Sequence, residues 1–274
     1  MKELKRNRII KLINPRNDSS NKGNFGHAFI VSGNIGKMGA AIIAAKACLR
    51  TGCGLLTVSV PNDEAVILQT TVPEAMLCIR ENDEDNFSHF SAAGIGPGLG
   101  TSEQSTAIVN YLLKEFNKPI VLDADALNII ALNKNMFNII PPETILTPHP
   151  KEFDRLFGNH DTIEQRMQTA INQSKEHSLV IVLKGHRTLI TNGKQSFLNT
   201  TGNAGLAKGG SGDALTGMIT SFLAQGYPEL ESSILGVYIH GLAADIALKE
   251  QSRESMLITD VIECFGKAFK LLTT

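Results

Sequence analysis

The residues best suited to do chemistry lie in the stretch "AKGGSGDALTGMI", residues 207–219. Three glycines and a serine directly precede Asp213, which stands at the start of an apolar helical pattern. Unpaired N–H groups and the positive dipole end at a helix N-terminus bind anions, and glycines let phosphate oxygens approach the backbone. An aspartate there would repel the phosphate unless it accepts a proton from an attacking hydroxyl. The simpler alternative is an acidic residue that stabilises its own helix.

Other phosphate-binding and nucleophile motifs are excluded by their spacing. The sequence has no G-x-x-x-x-G-K-[ST], and "GIGPGLG" does not complete G-x-G-x-x-G because Leu99 occupies the place of the last glycine. "GGSGD" does not fit the G-x-S-x-G elbow of serine hydrolases. The glycine loop is therefore interpreted as an anion-binding site of another kind.

Further polar or glycine-rich residues follow several short apolar runs. Asp123 and Asp125 of "VLDADALN" are candidates to approach a Mg²⁺ ion, although capping of the following helix is an equal alternative for Asp125. His149 is held between two prolines, and Lys184-Gly185 could meet a phosphate and admit a nucleotide. Each of these residues could also have an ordinary structural role. They are candidates for a site because all of them follow predicted strands.

The elements that would position these residues alternate as short apolar runs and longer helical patterns, which is typical of βαβ units. Strands are predicted at "HAFIVSG", "GLLTVSV", "AAGIG", "PIVLDA", "TILTP" and "LVIVLKG", and "TLITNGKQSFL" is predicted to be a hairpin with a type I′ turn at Asn192-Gly193. Helices are predicted over 38–51 and 213–225. Because the carboxyl ends of parallel strands form a ligand crevice, the candidate residues should meet at one edge.

Composition limits the classes of protein that need to be considered. The 274 residues include 26 Lys+Arg and 27 Asp+Glu, so the net charge of −1 gives no reason to expect nucleic acid or an anionic membrane as partner. The four cysteines show neither zinc-ligand nor disulfide spacing, and no apolar run reaches the roughly 18 residues of a membrane span. We expect a cytoplasmic, single-domain protein over 1–274, with residues 1–22 as a polar lead-in that includes a basic surface helix.

Taken in order, "GNIGKMGAAIIAAKACLRTGCGLLTV", "GPGLG", "VLDADALN", "LTPHPKEF", "LKGHRTLI", "TTGNAGLAKGGSGDALTGMI" and "YIHGLAADIA" resemble the ADP-dependent NAD(P)HX dehydratases. The resemblance implies a ribokinase-like, three-layer α/β/α fold with a mostly parallel central sheet and helices on both faces. It also implies repair of (6S)-hydrated NADH or NADPH. The reaction would consume ADP, require Mg²⁺, and release AMP and phosphate. The epimerase domain of some relatives is not recognised, so a separate epimerase is expected.

The resemblance also implies roles for individual residues. Asp213 would be the catalytic base, and the hydrated nicotinamide nucleotide would contact Asp213 together with Ala40, Ala41, Gly98 and His149. The adenine nucleotide would lie along Lys184, Gly185, His186, Arg187 and Thr188, along the segment 199–210 with Asn199, Thr201, Gly202, Asn203, Gly209 and Gly210, and at Ser211 and Gly212. The metal ligands stay open, with Asp123 or Asp125 near Mg²⁺. A homo-oligomer is expected, with a tetramer favoured.

Two other functions remain open from the residues alone. A small-molecule kinase that transfers phosphate from ATP to a sugar or vitamin-precursor hydroxyl would need the same loop and base. A nucleotide-binding regulatory protein could keep the fold without the reaction. The intact "GGSGD" argues against the second, and dependence on ADP or ATP would distinguish the first.

Overall fold

The chain forms a mixed sheet enclosed by two layers of helices, as seen in a computed structural model that describes residues 1–80 and 86–273. The described residues form ten strands: β1 (Lys2–Glu3), β2 (His27–Val31), β3 (Leu55–Val60), β4 (Met76–Ile79), β5 (Ala92–Ile95), β6 (Ile120–Leu122), β7 (Ile145–Leu146), β8 (Val180–Leu183), β9 (Leu189–Thr191) and β10 (Ser196–Leu198). Their order is β1-β10-β9-β8-β7-β6-β5-β2-β3-β4. Only β9 pairs antiparallel with its neighbours β8 and β10, which confirms the mostly parallel sheet.

The helices divide into two layers by the core that each one buries. They are α1 (Arg6–Leu12), α2 (Met38–Thr51), α3 (Ala65–Thr71), α4 (Glu103–Glu115), α5 (Ala124–Leu132), α6 (Pro150–Phe157), α7 (Ile163–Glu176), α8 (Ser211–Ala224), α9 (Glu229–Ala247), α10 (Ile258–Glu263) and α11 (Phe265–Thr273). Ala28 and Ile30 of β2 pack in the core of α1–α3 and α8–α11, whereas Phe29 and Val31 pack in the core of α4–α7. Alternate side chains of one strand thus enter opposite cores, which confirms the three-layer arrangement.

The crevice lies where the strand order reverses. β2 pairs with β3 on one side and with β5 on the other, and the helices after β2 and β5 belong to opposite layers. The loops after these strands are joined because Gly33 N–H and Ser32 Oγ both donate to the carbonyl of Pro97, at 2.8 and 2.7 Å. Such a switch point at the carboxyl ends of parallel strands is the usual ligand position in open α/β sheets.

Most predicted elements are present, with differences at their ends. The helix predicted over 38–51 ends before Gly52, whose φ of 105° is left-handed as a C-terminal glycine requires. α8 begins at Ser211, two residues before the predicted start at Asp213. β1 and β4 were not predicted from the sequence.

The predicted two-residue type I′ turn is wrong, although the hairpin is present. Thr191 pairs with Ser196, so four residues connect β9 and β10, and of these only Gly193 has a positive φ, at 77°. Asn192 Oδ1 instead accepts hydrogen bonds from the N–H groups of Lys194 and Gln195. The asparagine therefore shapes the turn through its side chain and not through a left-handed backbone.

The N-terminal segment is attached to the sheet edge beside the predicted nucleotide region. β1 runs parallel to β10, Leu4 N–H donates to Leu198 O at 2.9 Å, and Thr200 Oγ1 donates to Leu4 O at 2.8 Å. The basic residues of α1 are exposed, but Leu4 and Ile9 are fully buried. None of the helices in the described part of the chain combines the length and apolar character of a membrane span.

Candidate active site

The glycine loop leads directly into the first turn of α8. Gly210 has a φ of 92°, and a Cβ there would lie 2.7 Å from Ile43 Cδ1, so the position requires glycine. A Cβ on Gly209 would meet no atom within 4 Å, which leaves that side of the loop open. The first N–H groups of a helix have no partner four residues earlier. The start of α8 therefore offers backbone donors, and their use in binding an anion stays a prediction.

Asp213 is the third residue of α8 and is partly buried. Burial raises its pKa to about 6, and the charge of Asp123 acts in the same direction, against the opposing charge of Lys184. Asp125 and Glu152 raise the pKa of Asp213 further. A carboxyl with a pKa near neutrality can exchange a proton with a hydroxyl during a reaction, which is the property expected of a general base.

Near the first turn of α8, the buried Asp123 forms an ion pair with Lys184, whose side chain is 20% exposed. Lys184 Nζ donates to Asp123 Oδ1 at 2.7 Å, and Thr216 Oγ1 donates to Asp123 Oδ2 at 2.9 Å. Burial alone raises the pKa of Asp123, but the Lys184 ammonium and these hydrogen bonds bring it below its ordinary value. Burial lowers the pKa of Lys184, yet the nearby carboxylates raise it overall. Both groups are therefore charged at neutral pH.

His149 is fixed at the start of α6 by a reciprocal cap. Its Nδ1 accepts hydrogen bonds from the N–H groups of Lys151 and Glu152, and Glu152 Oε2 accepts from the N–H of His149 at 2.8 Å. Glu152 is 5% exposed and its Oε2 lies 3.8 Å from Lys184 Nζ. The sequence analysis did not identify Glu152, which connects the histidine to the ion pair.

Three of the predicted substrate residues, Ala40, Ala41 and Gly98, lie together at the switch point of the sheet. Gly98 has a φ of 63°, and a Cβ on it would lie 2.8 Å from Ala40 Cβ, so the loop after β5 packs on the start of α2. Ala41 is fully buried, and a Cβ on Gly33 would lie 2.9 Å from its Cβ, so its side chain belongs to the core. Of the two alanines, Ala40 is the one that remains partly exposed beside Gly98.

A cavity of about 510 Å³ lies between α8, α9 and the loop after β10. It brings together most of the predicted nucleotide residues: Lys184, Gly185, His186, Thr188, Asn199, Thr201, Gly202, Asn203, Ser211 and Gly212. His149 also lines the cavity, whereas Arg187, Gly209 and Gly210 do not. The Arg187 guanidinium is instead 2.6 Å from Glu3 Oε1.

The loop over residues 201–203 is held on α9 by contacts that the sequence did not reveal. Asp245 accepts hydrogen bonds from Gly202 N–H at 2.9 Å and from Asn203 Nδ2 at 3.0 Å. Thr201 Oγ1 donates to Tyr238 O, and a Cβ on Gly241 would lie 2.4 Å from that Oγ1. The signal was present in "YIHGLAADIA", where an aspartate and a glycine interrupt an apolar helix.

The two aspartates considered for metal binding have different surroundings. Asp123 has both oxygens engaged by Lys184 and Thr216. Asp125 Oδ2 accepts from Gly100 N–H at 2.7 Å and lies 3.7 Å from Lys37 Nζ. The residue between them, Ala124, has a φ of 48°, which is unusual for a residue with a side chain. Within residues 1–80 and 86–273, no three His, Cys, Asp or Glu side chains are grouped so as to hold a metal ion.

Comparison with known proteins agrees with this geometry. Residues 28–266 match the family model described as NAD(P)H-hydrate dehydratase. The ADP-dependent (S)-NAD(P)H-hydrate dehydratase of Neisseria meningitidis is 37% identical over 254 residues, which cover 89% of this chain and 84% of that protein. The bifunctional NAD(P)H-hydrate repair enzyme of Vibrio cholerae is also 37% identical, over 92% of this chain and 51% of that enzyme. The chain thus spans about half the length of such bifunctional relatives.

Solved structures show the same similarity. The ADP/ATP-dependent NAD(P)H-hydrate dehydratase of Bacillus subtilis, co-crystallised with ATP and Mg²⁺, superposes with a TM-score of 0.87 at 28% identity, covering 99% of this chain and 98% of that chain. A ribokinase-like superfamily protein of Enterococcus faecalis has a TM-score of 0.87 at 30% identity, covering 99% and 96%. A hydroxyethylthiazole kinase of Pyrococcus horikoshii, at 15% identity with a TM-score of 0.66 and coverage of 96% and 91%, shares the fold alone. The chain has the ribokinase-like fold and belongs to the NAD(P)H-hydrate dehydratase family.

Proposed function

We propose that the protein dehydrates (6S)-NADHX and (6S)-NADPHX to NADH and NADPH, and that it uses ADP and releases AMP and phosphate. The observation that carries this proposal is the position of Asp213. A carboxyl with a pKa raised to about 6 stands in the first turn of a helix that begins with an open glycine loop. Family membership supplies the identity of the reaction, and the site supplies groups for each of its steps.

The cavity between α8 and α9 is the proposed nucleotide site. Its volume of about 510 Å³ is within the ~300–1,000 Å³ of small-molecule pockets. Lys184 and the first turn of α8 lie along its wall and offer positive charge and N–H donors to the phosphates. We assign the adenine nucleotide to this cavity, with Lys184, Gly185, Thr188, Asn199, Thr201, Asn203 and Gly212 among the contacts.

The hydrated nicotinamide ring is assigned to the switch point, beside Gly98 and Ala40 and between His149 and Asp213. Gly98 and Ala40 are in contact across the crevice, and small residues there leave room for a flat ring. His149 borders the nucleotide cavity and is anchored by its cap on α6. The ring would thus be placed on the phosphate side of the nucleotide, within reach of Asp213.

The reaction follows from these positions. Asp213 accepts the proton of the hydroxyl on carbon 6 of the hydrated ring, and that oxygen attacks the β-phosphorus of ADP as the bond to the α-phosphate oxygen breaks and AMP leaves. The amides of the glycine loop and Lys184 stabilise the charge on the transferred group. The lone pair of the ring nitrogen then expels phosphate, and loss of a proton from carbon 5 restores the dihydropyridine.

The residues near the phosphates fit a Mg²⁺ ion that is carried mainly by the nucleotide. Mg²⁺ in nucleotide sites keeps several waters and uses one or two carboxylates together with phosphate oxygens. Asp125 is the better candidate of the two predicted residues, because it is partly exposed and its Oδ1 accepts only a 3.5 Å hydrogen bond from Asn128, whereas Asp123 is buried and bonded to Lys184 and Thr216. When bound, the ion would neutralise charge on the phosphoryl group.

The decisive experiment follows recovery of the reduced-nicotinamide absorbance from (6S)-NADHX with purified protein and Mg²⁺, comparing ADP, ATP and no nucleotide. We expect recovery with ADP that is accompanied by equal amounts of AMP and phosphate. Recovery only with ATP would change the assigned co-substrate but not the reaction. No recovery with either nucleotide, together with ATP-dependent phosphorylation of a sugar or vitamin-precursor alcohol, would replace the proposal by the kinase alternative.

The finer predictions of the sequence analysis remain proposals. We propose one catalytic domain, since α2 and α8 pack directly on each other and the N-terminal segment joins the far edge of the same sheet. A homo-oligomer and a separate epimerase for the other stereoisomer are predicted from the resemblance. Sedimentation of the purified protein would test the first of these.

A further inference from the structure

α9 places a buried histidine in the wall of the nucleotide cavity. His240 is 7% exposed and lines the cavity together with Val237 and Gly241 of the same helix. Its Nε2 atom is buried and, among the residues that the structure describes, has no hydrogen-bond partner. No role was assigned to this residue from the sequence.

An unpaired buried imidazole nitrogen is exceptional, because the large majority of buried polar atoms have a partner. The other polar groups at this part of α9 follow the rule: the carbonyl of Tyr238 accepts from Thr201, and the carboxylate of Asp245 accepts from Gly202 and Asn203. At this part of α9 the missing partner is therefore confined to His240, whose side chain lines the cavity while its Nε2 is buried behind the cavity surface. This pattern indicates a hydrogen bond that forms with a bound molecule.

The charge state of the imidazole ring limits which chemical groups of the bound molecule can pair with it. Burial lowers the pKa of His240 to about 4, so the imidazole is neutral near pH 7. A neutral imidazole has one N–H donor and one acceptor nitrogen, and it pairs with neutral polar groups such as those on the edge of a purine. It does not add to the positive charge that binds phosphate, which Lys184 and the first turn of α8 already provide.

Part of the cavity lining is apolar. Leu206, Leu215 and Val237 line the same cavity, and Leu215 and Val237 are almost fully buried. Apolar walls with a few polar groups suit an aromatic base, whereas a phosphate placed against those walls would be poorly solvated. A neutral, unpaired imidazole in a cavity with these apolar walls therefore favours the base of the nucleotide.

We propose that the imidazole of His240 reorients when the nucleotide binds, so that the buried Nε2 forms a hydrogen bond with the edge of the purine base and contributes to its selection. This inference rests on the proposed function for the identity of the nucleotide as ADP. In the absence of nucleotide the buried nitrogen is unpaired, so the histidine disfavours the empty site and favours the occupied one. His240 is therefore a binding residue and not part of the acid–base machinery.

The test measures the affinities of ADP and of inorganic pyrophosphate by calorimetry, without hydrated substrate, for the wild type, His240→Phe and His240→Gln. We expect His240→Phe to weaken ADP binding about tenfold, the equivalent of roughly one hydrogen bond, and to leave pyrophosphate binding unchanged. His240→Gln can place an amide nitrogen near the position of Nε2 and should recover part of the ADP affinity. Nucleotide-free His240→Phe should melt no lower than the wild type, because it removes an unpaired polar atom.

His27 provides a matched control. It is another partly buried histidine with a pKa lowered to about 4, but it lies at the amino end of β2, away from the cavity, and its Nε2 is paired with Thr57 Oγ1 at 2.8 Å. His27→Phe should lower the melting temperature and leave the affinity for ADP unchanged. The same substitution thus has opposite expected effects at the two histidines.

Several results would overturn the inference. These are unchanged ADP affinity in His240→Phe, an equal loss for ADP and pyrophosphate, or, if His240→Phe does not fold, a loss of pyrophosphate binding in His240→Gln. The proposed function fails separately: a wild type that binds ADP through His240 but does not dehydrate NADHX would remove the reaction and keep the base contact. Conversely, turnover with ADP together with unaltered binding by His240→Phe would remove only the base contact.

Discussion

At the scale of a single residue, the surroundings of Asp213 have opposite effects on the ionisation of its carboxyl. Its place in the first turn of α8 favours a negative charge, but burial and the neighbouring Asp123, Asp125 and Glu152 oppose ionisation. Lys184 moderates this opposition and keeps the pKa near 6. The residue is therefore ionised at neutral pH and is still basic enough to accept a proton.

We expect Asp213→Asn and Asp213→Ala to reduce turnover of (6S)-NADHX by about 10²–10⁴-fold, the range for loss of a general base. ADP affinity should largely survive, since the cavity contacts do not depend on this side chain. Steady-state kinetics and calorimetric titration with ADP measure the two effects. Near-normal turnover in either variant would remove Asp213 from its proposed role.

The same residue should make the folded protein less stable as pH rises. A pKa raised from 3.8 to about 6 in the folded state corresponds to about 3 kcal/mol of lost stability once the carboxyl is ionised. The loss is absent below the unfolded pKa, develops between pH 3.8 and about 6, and is complete above that range. Asp213→Asn should therefore be more stable than the wild type at neutral pH, by up to that amount.

Urea denaturation of wild type and Asp213→Asn across this pH range measures the effect. Glu103→Gln, at an exposed acidic residue in the first turn of α4, is the control and should not show a gain in stability at neutral pH. A difference between Asp213→Asn and wild type that does not change with pH would contradict the assigned pKa.

The ion pair near the first turn of α8 gives a third prediction. Asp123→Ala leaves the largely buried Lys184 ammonium without its closest partner and should destabilise the fold by up to about 3–5 kcal/mol, the range for breaking a buried pair. Adding Lys184→Met should restore part of that loss, because the unpaired charge is then removed. Denaturation of the single and double variants measures the coupling.

An exposed ion pair in the same region serves as comparison. Glu3→Ala breaks the pair with Arg187, whose side chains are about half exposed, and should change stability by less than about 1 kcal/mol. Equal losses for Asp123→Ala and Glu3→Ala would show that burial does not control the strength of the Asp123–Lys184 pair.

At the scale of elements, the position of α8 depends on its close approach to α2. A Cβ on Gly217 would lie 2.1 Å from the carbonyl oxygen of Ala44, so Gly217→Ala must separate the helices. We expect a loss of about 1–3 kcal/mol and reduced turnover, because Asp213 is on the displaced helix. Gly39, in the first turn of α2, has no atom within 4 Å of an added Cβ.

Gly39→Ala is therefore the matched variant for stability and should increase it by about 0.5–1 kcal/mol through helix propensity. Thermal melts of both proteins provide the comparison. A stabilised Gly217→Ala would mean that α2 and α8 can separate without strain.

Local sequence patterns predicted the elements that are buried on both faces, such as β2, β3 and β8, because their apolar runs are nearly continuous. β1 could not be predicted in this way, since its two residues, Lys2 and Glu3, are polar and become a strand only through β10. β4 is a partly exposed edge strand whose four apolar residues, Met76–Ile79, form a run too short to have been identified as a strand. Edge strands are defined by their neighbours more than by their own residues.

The candidate site divides in the same manner. The glycine loop, Asp213, Lys184 and His149 were found because their residue types and positions after strands carry a local signal. The pair of Asp123 with Lys184, the link through Glu152 and the anchor at Asp245 required contacts between distant segments. His240 gave no signal because an isolated histidine in an apolar helix is usually structural.

At the scale of the whole molecule, the N-terminal segment supports the nucleotide cavity from outside. Ile9 is fully buried in the core shared with α9, whereas Ile10, next to it, is 40% exposed. Ile9→Ala should destabilise the protein by about 2–5 kcal/mol, and Ile10→Ala should stay within about 0.5 kcal/mol. Because Leu4 holds Thr200 beside the cavity loop, Ile9→Ala should also weaken ADP binding.

Denaturation and ADP titration of the two isoleucine variants test this arrangement. Similar stability for both would mean that α1 contributes little to the core. A destabilised Ile9→Ala with unaltered ADP affinity would separate the packing of α1 from the shape of the cavity.

The parallel pairing of β1 with β10 has a consequence for the order of events during protein synthesis. Lys2 is aligned with Phe197, so the strand near the N-terminus leaves the ribosome long before its partner exists. Until β10 and Thr200 emerge, Leu4 lacks its hydrogen bonds, and the loop over residues 199–203 is not yet attached to the N-terminal segment. The contacts of Leu4 with Leu198 and Thr200 therefore form late on a growing chain. A polypeptide that lacks them cannot bind the nucleotide as the finished protein does.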